Sequence, residues 1–354
     1  MGRTLKTIGL VAGVAMTLAG TAYAGQRVAA ERLRKHEDED SVDELIPAFD
    51  EIRSLPSYDG GSISVISRGE GPPIVLSHGV ALSVRTWVKQ MEALPSAGFR
   101  TIAFDHRGHG ASTVGDTGHT LETLANDVRT VVEGLDLHDA VLVGHSMGGV
   151  AVQAFAIQFP EVVRERVAGI VLLSTIARTY LSGSRRLAHL LEWIASSIPD
   201  ATGVLGLDHL GLLITRVGFG KDPQPSHIEL TRQMLLACES ETTKAAGTAL
   251  LGLNLSADLP NIALPTLVIE GTNDVLTPPA EARRIAKLIP GARLEMLKGA
   301  GHMAMLEQSE AVDRLITDFA HEVQGRRADQ GQGRSAARSG HEVRSAERPN
   351  QAVS

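Results

Sequence analysis

The chain has 354 residues, enough for one large α/β domain with an insertion or for two ordinary domains. Apolar residues make up 43% and charged residues 21%, which allows a packed core and argues against global disorder. A formal net charge of -7 argues against a nucleic-acid partner, 3% aromatics leave little for stacking single strands, and the lone Cys238 excludes intrachain disulfides and cysteine-based zinc sites. Cys238 itself reads as a small buried hydrophobe.

At the N-terminus, Arg3 and Lys6 precede an uncharged stretch from Thr7 to Ala24, and "AYAG" resembles a small-residue cleavage site. Eighteen residues rich in Ala, Gly and Thr lie near the lower limit for crossing a bilayer. Residues 1–25 therefore read as a retained membrane anchor, as a cleaved export signal, or as a soluble helix. Arg27, Arg32, Arg34 and Lys35 outnumber the basic residues before the stretch, which favours the anchor by the positive-inside rule and leaves its orientation open. The expectation is a membrane-associated protein, with export after cleavage as the alternative. Residues 26–57, including "RKHEDEDSVDE", read as a charged linker or short helix.

From residue 58 the pattern becomes that of an α/β domain. Strands are expected at 62–67, 74–77, 99–104, 140–143, 169–175, 264–271 and 292–297. Helices are expected at 122–135, 147–159, 278–289 (opened by proline) and 309–323. The alternation implies a mostly parallel sheet covered on both faces, with the first two strands pairing as an antiparallel lead-in. No strand-like run occurs between 177 and 258, and a structureless loop of that length is implausible, so an inserted helical lid divides the core into 58–176 and 259–323. Residues 324–354, weakly basic and nearly free of aliphatic side chains, are expected to be a disordered, solvated tail.

The stretch "VLVGHSMGGVAVQAF" places Ser146 in a G-x-S-x-G turn between a buried strand and a helix, where such a turn lifts a hydroxyl above the sheet edge. A serine hydroxyl needs a base, and the base needs a carboxylate to orient it. On a parallel sheet such groups gather beyond the carboxyl ends of the strands. Asp274 follows the strand "LPTLVIEG", better placed than Glu270 within it or Asp258 before it, although a turn-capping aspartate is equally common there. His302 alone among 13 histidines sits in a Gly-Ala-Gly loop after a strand. The oxyanion hole needs two backbone N–H groups. Met147, after the nucleophile, supplies one, and "SHGVA" offers the Val80 N–H as the other. In "FDHRGHGAS", Asp105 and Arg107 form a candidate pair with a structural role.

The segments "SHGVALSVRTW", "FDHRGHGAS", "GHSMGG", "GTNDVLTPP" and "GAGHM", in that order over residues 60–323, resemble the α/β-hydrolase superfamily. "GHSMGG" is similar to the elbow of monoacylglycerol lipases and carboxylesterases. The resemblance implies a sheet of about eight strands with a helical lid between the sixth and seventh, and a catalytic triad of Ser146, Asp274 and His302. It implies an oxyanion hole at Val80 and Met147, and no cofactor or metal. A serine at position 146 separates the chain from epoxide hydrolases and haloalkane dehalogenases, which carry aspartate there. The expected activity is hydrolysis of lipid or other apolar carboxylic esters. Lactonase, carbon–carbon bond hydrolase and perhydrolase activities are alternatives on the same triad, and a non-catalytic ligand-binding protein is the rival of another class.

Overall fold

The computed structural model describes residues 25–35, 38, 40–179 and 205–346. The anchor expected at residues 1–25 lies, apart from Gly25, outside this range. The membrane and transmembrane expectation is corrected nonetheless: among the described residues, no helix is long and apolar enough to cross a membrane. Gly25 begins a helix over 25–34 whose Ala30 is buried.

Eight strands form one sheet: β1 (Glu51–Pro56), β2 (Ser62–Arg68), β3 (Pro73–Ser77), β4 (Arg100–Phe104), β5 (Ala140–His145), β6 (Val167–Leu173), β7 (Thr266–Gly271) and β8 (Arg293–Leu297). Their order is β1-β2-β4-β3-β5-β6-β7-β8. From β4 to β8 all pairings are parallel, while β2 runs antiparallel to both neighbours. The central strands are apolar along their whole length because both faces are covered. Ile74, Leu76, Val141 and Val143 pack on one face, and Val75 and Leu142 on the other.

Two expectations need correction. Residues 26–57 are not simply a linker, since Glu51–Pro56 adds strand β1 to the sheet edge. Its burial alternates weakly and most of its side chains face solvent, so no apolar run marks it. Strands β2 and β3 do not pair with each other. The turn between them passes over the start of β4, where the Arg100 N–H donates to the Pro72 carbonyl at 3.1 Å, and β4 fills the gap.

The helices follow their amphipathic stripes. Leu121–Gly134 opens with a reciprocal cap between Thr120 and Thr123 and buries Leu124, Val128 and Val131. The last helix, Ser309–Ala346, docks through Val312, Ile316, Phe319, Ala320 and Val323. That stripe stops where the helix was expected to end, yet the backbone stays helical through most of the segment expected to be disordered. Residues 324–346 contain no proline, and the helix runs on through Gly325, Gly331, Gly333 and Gly340.

Between β6 and β7 the described part of the insertion holds three helices, Asp208–Arg216, Pro225–Ala237 and Ser240–Leu251. The N-terminal arm is fastened to the second. Asp38 accepts hydrogen bonds from the Ser226 N–H and hydroxyl, each at 2.7 Å, in the first turn of that helix. Asp40 contacts Lys89 at 2.6 Å and His227 at 3.0 Å.

Candidate active site

Ser146 stands between β5 and the helix Met147–Gln158 with φ +52° and ψ -118°. That conformation is rare for a residue bearing a Cβ and persists only where its surroundings fix it. Here the Ser146 N–H donates to the Leu173 carbonyl at 3.1 Å, and the Thr175 hydroxyl donates to the Ser146 carbonyl at 2.6 Å. Glycines make the elbow compact. A Cβ on Gly148 would collide with the Ser77 backbone, and one on Gly79 would lie 3.1 Å from the Ser146 Cβ. The loop after β3 therefore crosses directly over the elbow.

Asp274 and His302 come together behind the serine. The carboxylate Oδ2 lies 2.8 Å from His302 Nδ1 and also accepts the Thr277 hydroxyl at 2.6 Å. Its other oxygen accepts the N–H groups of Leu276 and Thr277, each at 2.8 Å. Asp274 thus both ties its own turn together and contacts the His302 ring. Burial alone would raise the carboxyl, but the hydrogen bonds from His302 and Thr277 outweigh it and hold Asp274 at about 2.

Ser146, His302, Gly79 and Val80 line one cavity of about 390 Å³. Met147 is buried at the first position of its helix, where the N–H groups have no intrahelical acceptor. Leu82, Val217, Leu235 and Leu276 supply much of the remaining wall, together with Ile214 and Met303. Two threonines also line it, but the Thr215 hydroxyl donates back to Gly211 O and that of Thr231 to His227 O, both at 2.9 Å. Apart from Ser146, His145 and His302, the cavity therefore offers a mainly apolar surface.

The wall and the histidine are laced together. The His302 N–H donates to the Gly218 carbonyl and the Lys221 N–H to the Gly299 carbonyl, both at 2.8 Å. Between these contacts the Glu307 carboxylate accepts the N–H groups of Gly220 and Gly301.

Several neighbours were given no role from the sequence. Thr277 is one, although its place three residues after an aspartate is a turn signal. His145, next to the serine, is fully buried, and its Nε2 lies 3.0 Å from the His302 carbonyl. Burial, with His302 beside it, pushes it well below the ordinary histidine range, so it stays uncharged. Glu270, four residues before Asp274, is completely buried, next to Ser174 and Asp274. Burial and the nearby Asp274 carboxylate push it up to about 10, so it is a neutral acid at pH 7. The expected pairing of Asp105 with Arg107 is corrected. Arg107 instead binds Asp127 at 2.7 Å and Asp59 at 2.8 Å, because those carboxylates face the buried guanidinium, while Asp105 accepts the N–H groups of Val84 and Ala111.

A mostly parallel sheet in this strand order, with a strained serine at the turn after β5, is the architecture of an α/β hydrolase. The sequence matches the alpha/beta hydrolase family over residues 74–315, and the chain belongs to that family. A non-heme chloroperoxidase, CPO-A1, from Kitasatospora aureofaciens is 30% identical over 278 residues, covering 74% of this chain and 96% of that protein. The enol-lactonase from Burkholderia xenovorans LB400 is similar in structure, with a TM-score of 0.64 and 28% identity, covering 75% of this chain and 99% of the other. An esterase from Exiguobacterium antarcticum shares the fold with a TM-score of 0.67 at 24% identity, covering 75% of this chain and 98% of the other.

Proposed function

We propose that this chain is a serine hydrolase of carboxylic esters that works through an acyl-enzyme. The observation that carries the reading is the strained Ser146 sharing a cavity with His302, whose Nδ1 is held by Asp274. Ser146 Oγ attacks the ester carbonyl while His302 Nε2 takes its proton. The Asp274 bond keeps the histidine proton on Nδ1 and stabilises the imidazolium that forms. Negative charge develops on the carbonyl oxygen and is met by the N–H groups of Val80 and Met147. His302 then protonates the departing alcohol, and water, activated by the same histidine, releases the acid. Labelling by a fluorophosphonate probe tests this. The wild type is expected to label at Ser146 and Ser146→Ala not at all; labelling that survives the substitution overturns the reading.

The substrate class follows from the cavity wall. With no charged side chain among its apolar residues, it favours an uncharged, apolar acyl group of the kind found in lipid esters. In a series of p-nitrophenyl esters, kcat/KM is expected to rise from acetyl to longer chains, then fall once the chain outgrows about 390 Å³. A steady decline from acetyl onward would exclude the apolar-acyl preference. The similarity to a chloroperoxidase supports a second reading, in which hydrogen peroxide replaces water at the acyl-enzyme and a peracid leaves in place of the acid. The partition between acid and peracid in the presence of peroxide separates the two.

A further inference from the structure

The loop after β4, "FDHRGHGAS", takes no part in the proposed chemistry, yet it reaches the loop that carries Val80. Two peptide units flank the Val80 Cα, and each is gripped by a histidine. In the Gly79–Val80 unit the carbonyl and the N–H point to opposite sides of a trans plane. His78 Nδ1 lies 2.7 Å from that carbonyl, and His78 Nε2 accepts the His106 N–H at 3.0 Å. A neutral ring accepting at Nε2 carries its proton on Nδ1, so it donates to Gly79 O. In the next unit the Ala81 N–H donates to His109 Nε2 at 3.1 Å, and His109 Nδ1–H donates to the Arg107 carbonyl at 2.9 Å.

Both rings are fully buried. Burial, reinforced by His106 and His109, pushes His78 well below the ordinary range. His109 is lowered by burial to about 4, against the pull of its bond to Arg107. At neutral pH each ring therefore keeps the lone pair that accepts. The grip has a reason to exist, because Ala81 has φ +56°, a strained conformation that relaxes unless held. The loop bearing His109 is fixed in turn by Arg107, which is buried between Asp127 and Asp59.

We infer that His78 and His109 are positioning residues of the oxyanion hole, clamping the peptide units on either side of Val80 so that its N–H faces the cavity beside Ser146. The inference rests on the serine-hydrolase reading and gives the "FDHRGHGAS" loop a role in it. A donor that acts on developing charge stabilises the transition state more than the bound ester, so loosening it lowers kcat and spares KM.

His109→Leu, which removes the acceptor, is expected to lower kcat at least about tenfold with KM within about twofold. Affinity for a trifluoromethyl ketone, which mimics the tetrahedral adduct, should fall by the same factor. His109→Gln, whose side-chain oxygen can accept the Ala81 N–H, should recover most of both. Wild-type kcat in His109→Leu, or a rise in KM alone, overturns the inference while leaving the hydrolase reading intact. An unlabelled wild-type Ser146 overturns both. Should His109→Leu fail to fold, ¹⁵N spectra of the wild-type imidazoles decide: His78 and His109 protonated on Nδ1 and bare at Nε2 at pH 7 support the clamp. A charged ring or the opposite tautomer refutes it.

Discussion

Asp274→Asn is expected to lower kcat about ten-thousand-fold with KM for a short ester changed only a few-fold. The size of the loss follows from how the carboxylate is used. One oxygen takes the His302 Nδ1–H at 2.8 Å and the Thr277 hydroxyl at 2.6 Å, while the other takes two backbone N–H groups. An asparagine oxygen can satisfy only one side. The two backbone donors hold it, which turns the amide nitrogen towards His302. The imidazole must then accept at Nδ1 and carry its proton on Nε2, so it has no lone pair to receive the Ser146 proton. The loop keeps its caps, so the variant should fold. Steady-state kinetics beside a thermal melt provide the check, and a folded variant within tenfold of wild-type kcat would remove Asp274 from the mechanism.

Glu270→Gln is expected to change how stability depends on pH. Between the ordinary glutamate range and about 10, the folded protein holds a proton that the unfolded chain has released. Stability from this group is full below the ordinary range and declines as pH rises, by about 1.4 kcal/mol per pH unit. At pH 7 the deficit amounts to about 3 kcal/mol. Asp274 works in the opposite direction: held at about 2, it stabilises the fold above the ordinary aspartate range and loses that contribution as pH falls towards 2. Glutamine keeps the size and neutrality of the protonated acid, so the variant should gain stability at pH 7. Between pH 6 and 9 its urea-derived stability should fall less steeply than that of the wild type by about 1.4 kcal/mol per unit. Parallel curves for the two proteins would mean that Glu270 is ionised in the fold.

Much of this architecture was legible because the sheet is parallel and buried. Continuous apolar runs such as Ala140–Val143 identify themselves as central strands; Ser146 and Asp274 each follow one, and His302 follows the edge strand β8. Ser146, Asp274 and His302 could thus be chosen by position before any geometry was known. Strand β1 escaped notice because an edge strand facing solvent has no such run. The β2–β3 pairing was misread because short turns suggest hairpins, and nothing local announces that β4 will enter between them. Glu270 was set aside as the acid because it lies inside the strand and not in the loop after it, and only the three-dimensional surroundings reveal its complete burial beside Asp274. The histidine clamp was hidden for a related reason. His78, His106 and His109 are dispersed among 13 histidines, and their hydrogen bonds go to backbone atoms that a sequence does not display.

The glycine-to-glycine lacing between residues 218–221 and 299–302 bears on how such a protein can diversify. A new acyl pocket would be obtained most directly by exchanging the helix Asp208–Arg216, which supplies Ile214 and Thr215 to the wall. That helix leads into Gly218 and Gly220, whose backbones interlock with Gly299 and Gly301 too closely to admit a Cβ at Gly220 or Gly301. On the proposed hydrolase reading, the wall segment and the loop bearing His302 therefore move as one unit. A graft that brings in a foreign wall without its matching histidine loop would shift His302 together with the pocket, so selectivity and turnover would drift together instead of evolving apart.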